Sequence, residues 1–412
     1  MVATSQYNIS IIQDDVGLLN LRPSWNSLLS DSAANTVFLT WEWISSWWNI
    51  YGNGKDLAVV VARRNGELVA IVPLYRVRRT VLKFLSLSEY RFLGDGSGDS
   101  DYLDLIVRRN DGTEVIEAII SWIVGTFPSN SIFYFNEIPE SSPNLSILRR
   151  CLEESGFYGE EGFVRCAYTE LPATWDDYIK TLRPRMRTKV RSLRRNFEKE
   201  AGQIDFFVLK DDRELEQRLQ SLFDLHRMRW EKKFQTGVFV LPGKKDFYRE
   251  ISKEFLRKGW LRLYSIRIRE RYIAHQFCFR YGDTVFLLQE GYDPTFEELE
   301  AGNLLRSMVL EDCIREGVKV YDYLGGISFH KTAWGGDEKR SVRLKAGNRK
   351  ILLVRFVLQF PGITENIKQG VRKLVPESLL EYRKKWLISR GRKAFAARSR
   401  DETDSPPEIH GR

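Results

Sequence analysis

The stretch TFEELEAGNLLRSMVLEDCIREGVKVYDYLGG, residues 295–326, decides how the chain is read. It runs as a loop, a glycine, an amphipathic helix and a strand that ends in two glycines. Leu304, Leu305, Met308, Val309 and Ile314 recur near a 3.6-residue period, which predicts a helix over 302–316. Gly302 and Asn303 stand at its start. There the free N–H groups and the positive end of the helix dipole favour an anion, and a glycine lets a pyrophosphate approach the backbone. An ordinary βα turn would also place a glycine here, so the residues alone leave both readings open.

The strand that follows, VKVYDYLGG, carries Asp322 near its C-terminal end, where α/β sheets tend to place function. Asp322 could orient or deprotonate an amine or hydroxyl, or simply cap the surface. In GISFHKTAWGG, His330 stands beside Lys331: one could take a proton while the other holds a negative group. A lone histidine is as readily structural.

Upstream, WLRLYSIRIRERYIAHQFCFRYGDTVFLLQEGYD reads as a three-stranded meander with turns at 269–271 and 282–283. An earlier hairpin, LAVVVARRNGELVAIVPLYRV, turns at Asn65-Gly66, a type I′ signal. The two hairpins superpose without a gap, Ala70 over Ala274. Hairpins resemble one another, but each is preceded by helices and followed by alternating strand and helix. That pattern predicts two copies of one α/β unit around a shared cleft. Further elements are a Trp-rich helix at 40–51 stopped by Gly52, a helix at 114–126, a strand at 131–136 and helices at 183–200, 214–233 and 246–259.

The chain has 412 residues, room for two or three domains, with 43% apolar residues, 29% charged residues and a mean hydropathy of -0.35. No run of 18 apolar residues predicts a membrane span, and the first residues lack a signal-peptide pattern. Cys151, Cys166, Cys278 and Cys313 lack metal-ligand spacing and read as reduced thiols of a cytoplasmic protein. Residues 349–412 hold 15 Lys+Arg against 7 Asp+Glu, so they carry most of the net +9. The body is nearly neutral, which argues against a protein built to bind nucleic acid. The basic, partly apolar tail could lie on an anionic membrane surface or dock as a terminal helix.

RPRMRTKVRSLRRNFEKE could be a solvated face or a phosphate contact, and Arg185 and Arg187 could clamp an anionic substrate. GDGSGDSDYLDL lacks the ligand order of a calcium loop, and no metal is expected. It reads as a turn that lends Asp101 and Tyr102 to a cleft.

TWEWISSWW, GELVAIVPLYR, DYLDLIV, RMRTKVRSLRRNFE, RYIAHQFCFRYGDTVFLLQEGYDP and AGNLL…CIREGVKVYDYLGGISFHKTAWG follow in that order from about residue 38 to 347. In this order they resemble the CelD/BcsL-type acyltransferases of the GNAT superfamily, with a BioF-like acetyltransferase domain, related to the FemAB peptidyltransferases. The resemblance implies an α/β fold of two tandem GNAT-like units with mixed sheets flanked by helices: residues 1–172, residues 173–348 with the donor groove, and a helical basic tail at 349–412. It implies acetyl-CoA as donor, its diphosphate on the amides of Gly302, Asn303 and Leu304, and no metal. Backbone amides around Leu287, Leu288 and Gln289 would polarise the thioester. The acceptor would be an amine or hydroxyl of a sugar or cell-surface polysaccharide precursor.

Two positions depart from the family. His330 stands where tyrosine is usual, which leaves Tyr292, Tyr321 or Tyr323 as possible general acids beside Asp322 and Lys331. The motif Gln/Arg-x-x-Gly-x-Gly/Ala keeps one glycine in FEELEAGN. The alternatives are a FemAB-like enzyme using aminoacyl-tRNA and a non-catalytic scaffold of polysaccharide biosynthesis.

Overall fold

The structure, a computed structural model, describes residues 6–81, 85–327 and 329–359. The strands of the first half are β1 (Asn8–Ile12), β2 (Asp56–Leu57), β3 (Val59–Arg64), β4 (Glu67–Val72), β5 (Leu74–Val81), β6 (Leu85–Phe92), β7 (Ile106–Val107), β8 (Ser131–Pro139) and β9 (Phe157–Glu170). Those of the second are β10 (Asp205–Val208), β11 (Leu261–Ile268), β12 (Arg271–Tyr281), β13 (Thr284–Tyr292), β14 (Val320–Gly325) and β15 (Asp337–Asn348). Residues up to Arg355 pack as one compact unit, and a second begins at Phe356. Helix Leu352–Gln359 opens the tail, and the rest of the tail expectation, residues 360–412, lies outside the described residues.

The fold is the expected α/β arrangement of mixed sheets flanked by helices, and both halves build one sheet. Its eleven strands run β10-β11-β12-β13-β14-β9-β15-β8-β6-β5-β2, beside a four-stranded sheet β1-β3-β4-β7. The late strand β15 lies between β9 and β8, pairing with β9 from Asp337–Tyr168 to Asn348–Phe157.

The two hairpins match in more than outline. Ala62 faces Ala70 and Ile266 faces Ala274, and each ladder shifts register immediately after that pair. Asn65 and Arg269 both turn with φ 53°.

The Trp-rich helix Trp41–Tyr51 starts on Thr40, whose hydroxyl accepts from the Trp43 N–H, and it ends at Gly52. Trp43 is fully buried and meets Phe38, Phe247 and Phe279 at ring distances of 4.9–5.7 Å. Aromatic rings of this size bury enough apolar area to dominate the core, and here they join helices of both halves.

The element that positions the site is the β13–β14 pair. The strands run parallel from Thr284–Val320 to Phe286–Asp322, and the ladder then ends. On its other side β13 bulges: Phe277 faces Gln289 and Cys278 faces Leu287, so Leu288 is the extra residue. Beyond Phe286 the edge of β13 therefore borders an opening.

Candidate active site

A cleft of about 700 Å³ lies along that edge. Leu287, Leu288, Gln289 and Glu290 form one side, and Tyr323–Ile327 with Lys331 form another. Gly98, Ser100, Asp101, Glu137 and Val164 close it from the first half. A smaller cavity of about 220 Å³ at the mouth of helix Ala301–Arg315 is lined by Tyr292, Glu297, Glu300, Gly302 and Asn303. Arg229, Lys233, Glu290 and Arg306 line both. A third, of about 420 Å³, holds Arg183, Arg185, Lys189, Asn303 and Trp334. The helix mouth thus has basic groups on two sides, with Glu290, Glu297 and Glu300 among them, and the Asn303 and Leu304 N–H groups both bond the Glu300 carbonyl at 2.9 Å.

Gly302 has a local reason to be glycine. A Cβ there would stand 3.2 Å from the Tyr292 ring. Tyr292 donates to Glu297 at 3.3 Å, and the Arg229 guanidinium lies 4.9 Å from its ring centre. Leu304 turns its side chain into the core, and its N–H is bonded to Glu300 O at 2.9 Å. Glu290 is held by Arg306 at 2.5 Å and Arg229 at 3.3 Å. Burial opposes its charge, yet the two guanidiniums hold its carboxyl at about 2.

Asp101 and Lys331 meet across the end of β14. A Cβ on Gly325 would stand 2.9 Å from Asp101 Oδ1, so a larger residue here would push the carboxylate aside. Burial, then the nearby charges of Glu137 and Asp322, push the Asp101 carboxyl up to about 7, against the Gly325 N–H and Lys331. Lys331 donates to the carbonyls of Tyr323 at 2.8 Å and Gly325 at 2.9 Å, and burial lowers its pKa. A carboxyl that titrates near neutrality, at the end of a splayed strand, can act as general base.

Asp322 points away from the cleft. It is fully buried, accepts from Tyr102 Oη at 3.0 Å and the Leu324 N–H at 2.8 Å, and pairs with Lys339 at 2.7 Å. Tyr102, buried beside it, ties the loop of residues 93–105 to β14. Arg187 donates to the carbonyls of Lys180 and Leu182 and closes the end of the preceding helix, while Arg185 stays exposed at the helix mouth. His330 lies in the one-turn helix Phe329–Thr332, and its side chain is outside the described part. So Leu287–Gln289, Asp101 and Lys331 share one cleft, Tyr292, Gly302 and Asn303 its neighbour, and Asp322 with Tyr102 a buried clamp.

Sequence reasoning passed over Arg229, Lys233, Glu137, Glu290, Arg306 and Arg343. Arg229 and Lys233 carried a signal, an i,i+4 basic pair in HRMRWEKK. Glu137 sits on a short strand end, FNEIPE, with no pattern of its own.

Residues 184–332 match the family model described as acetyltransferase (GNAT) domain. No curated protein matches the chain. Among solved structures, FemX overlays with a TM-score of 0.55 at 11% identity, covering 78% of this chain and 95% of that one. A conserved protein of unknown function from Bacteroides thetaiotaomicron VPI-5482 overlays at 0.51 and 11% identity, covering 82% and 99%. At such identity the overlays speak for the fold alone. The matched segment holds β13, its bulge, the helix mouth and Lys331, and a GNAT domain implies use of acyl-CoA. Residues 184–332 thus carry a GNAT-type acyltransferase domain.

Proposed function

We propose that the protein moves an acetyl group from acetyl-CoA to an amine or hydroxyl of a sugar or cell-surface polysaccharide precursor. The observation that carries this reading is the splayed edge of β13, which borders a cleft of about 700 Å³ that adjoins the cavity at the helix mouth. The diphosphate would lie on the first turn of helix Ala301–Arg315, between Arg185 and Lys189 on one side and Arg229 and Lys233 on the other. The thioester would run along Leu287–Gln289, where backbone amides polarise its carbonyl. Asp101 takes the proton of the attacking amine or hydroxyl. The nucleophile bonds to the acyl carbon, the C–S bond breaks, and the thiolate takes a proton from Lys331 or water. No enzyme-bound intermediate is needed, and holding the two substrates in line supplies much of the rate. In this reading the two α/β copies run over 1–172 and 173–348.

One observation favours a second reading, an aminoacyl-tRNA donor: Arg183, Arg185, Arg191, Arg194 and Arg195 all stand exposed in or beside helix Pro184–Ala201. Calorimetry with acetyl-CoA and with charged tRNA separates the donors, followed by thiol release with sugar acceptors. Binding of tRNA alone moves the assignment to the second reading, and binding of neither leaves a scaffold. Among the described residues no helix is long and apolar enough to cross a membrane. Residues 349–412 are proposed to hold the protein on an anionic membrane surface at the cytoplasmic face. A chain ending at residue 348 that still pellets with anionic vesicles would end that idea.

A further inference from the structure

Exposed apolar side chains are not spread evenly over the molecule. Among the described residues eight large hydrophobic side chains are exposed, and three of them, Phe234, Val240 and Leu241, fall in one loop between helices Leu215–Lys232 and Lys244–Arg257. Phe234 is 89% exposed, Val240 61% and Leu241 51%. Scattered apolar residues on a surface need no explanation, but a group of them marks a contact.

The loop is built to hold these side chains out. The Phe234 N–H bonds the Glu231 carbonyl and the Gln235 N–H bonds the Trp230 carbonyl, each at 2.9 Å, so the chain turns sharply off the helix end. Phe234 takes φ 55°, a left-handed backbone that asparagine adopts readily and an aromatic residue adopts at a cost. No packing offsets that cost, because the ring stands in solvent. Gly237 then passes so close to His226 that a Cβ would lie 2.6 Å from the imidazole. Phe239 is buried with its ring 4.8 Å from His226 and 4.9 Å from Tyr248, and it anchors the turn that presents Val240 and Leu241. Strain held at an exposed aromatic tip points to a function outside the fold.

Charge and shape decide what covers the tips. Residues 226–245, HRMRWEKKFQTGVFVLPGKK, hold six Lys+Arg and one acid, Glu231. The acids in and around the loop are already paired: Asp224 and Glu231 with Arg227, Glu297 with Lys232, and Asp246 with Arg249. Lys233 and Lys245 lie 5.8 Å and 5.4 Å from the ring centres of Trp230 and Phe223, and neither has an ion pair among the described residues. A stable protein partner needs a continuous face of about 1,000 Å² or more, and three side chains on one loop do not make one. A few apolar tips beside lysines suit the boundary between headgroups and acyl chains of an anionic bilayer.

We propose that the loop of residues 233–245 is a membrane-docking site: Phe234, Val240 and Leu241 enter the acyl boundary of an anionic bilayer, and Lys233 and Lys245 meet lipid phosphates. The site does not rest on the acyl-transfer reading, and it is separate from the tail. Trp230 and Lys233 also line the cleft, so docking here sets the rim of the cleft at the lipid surface. One such loop binds weakly and reversibly, and a second contact, such as the basic tail, makes the attachment stable.

The four native cysteines are buried, so a polarity-sensitive fluorophore can be placed on Phe234→Cys and, as a control at another exposed ring, on Phe163→Cys. With the full chain and vesicles of equal parts phosphatidylglycerol and phosphatidylcholine, the label at 234 should shift to the blue and the label at 163 should not. Phe234→Asn suits the left-handed backbone and should raise the lipid concentration for half-pelleting about tenfold, with the melting temperature and acetyl-CoA affinity near wild type. A chain that does not pellet, no shift at 234 while it pellets, an equal shift at 163, or unchanged pelleting of Phe234→Asn overturns the proposal. A shift at 234 on adding acetyl-CoA without vesicles would make the loop a cover for the cleft and overturn the membrane reading. An equal shift on phosphatidylcholine alone would overturn the anionic partner. Absence of acetyl-CoA binding with the lipid results as expected would strike acyl transfer and leave the docking site standing.

Discussion

Hairpins β3–β4 and β11–β12 share pairing, register shift and turn angle, but the chain that follows them differs between the halves. After β12, β13 passes its partner β14 with a one-residue bulge at Leu288, and its far edge opens onto the cleft. After β5, β6 pairs in parallel with β8, and residues 93–105 intervene before β7 resumes pairing with β4. That loop does not stay at home. Lys244 clamps Asp99 at 2.7 Å, Tyr102 bonds Asp322, and Asp101 reaches Gly325. The helix mouths differ in the same sense. Before helix Gly112–Thr126 stands Asp111, buried with Arg64 at 2.6 Å and Tyr7 at 3.3 Å, whose side chain makes no bond to the helix amides. Before helix Ala301–Arg315 stands Glu300, paired with Lys189, beside a cavity lined by Arg229, Lys233 and Arg306 against Glu290, Glu297 and Glu300. In the proposed reading, one copy of a unit keeps the donor groove while the other supplies the wall and the base.

Asp101 gives the largest test of that division. Asp101→Asn should lower kcat/KM by about 10²–10⁴, the range for loss of a general base. In the wild type kcat/KM should rise with pH through about 7, because the carboxylate is the active form. Stability runs the other way. A carboxyl raised to about 7 in the fold favours folding below its unfolded pKa, and that contribution is lost as pH rises toward 7. Asp101→Asn should therefore raise the melting temperature at pH 8 by a few degrees and leave it unchanged at pH 4. Lost activity together with a lower melting temperature at pH 8 would make Asp101 structural.

Asp322 is the loop's anchor on the other side of β14. Asp322→Asn keeps an acceptor for Tyr102 and the Leu324 N–H but abandons Lys339. The expected cost is about 1–3 kcal/mol of stability, read by denaturant melts, with kcat within about threefold of wild type. A collapse of kcat in a protein of normal stability would return Asp322 to the chemistry.

Periodicity made the helices and hairpins legible, because apolar spacing and Asn65-Gly66 are local signals. It also marked Gly302 and Asn303, whose meaning depends on their place in a helix. It could not orient Asp322. Alternation along β14 sends Tyr321 and Tyr323 to one face and Asp322 to the other, and which face holds the cleft depends on a strand, β9, from the other half. Nor could it find Glu137 and Arg343, which are 206 residues apart and meet through the β15–β8 pairing.

The two helix mouths can be compared by the same substitution. Gly302→Asp puts a carboxylate where the diphosphate would lie and should weaken CoA binding about tenfold, with a small loss of stability because its Cβ presses the Tyr292 ring at 3.2 Å. Gly112→Asp meets nothing within 4 Å and should leave CoA affinity unchanged. Calorimetry on both decides. Equal effects, or none at Gly302, would remove the distinction between the two mouths.

The smallest effect tests whether the two hairpins are one design. Asn65 and Arg269 hold the same left-handed turn, but asparagine tolerates it and arginine does so at a cost. Arg269→Asn should therefore stabilise the fold by about 0.5–1 kcal/mol, and Asn65→Arg should destabilise it by a similar amount. Both turns lie outside the cleft, so acyl transfer should be unchanged. The Arg269 side chain is a weak objection, because no ion pair or hydrogen bond involving it is seen among the described residues. Chemical denaturation of the pair gives the answer: opposite shifts of similar size support equivalent turns, whereas a loss at both sites would mean that the shared φ conceals different environments.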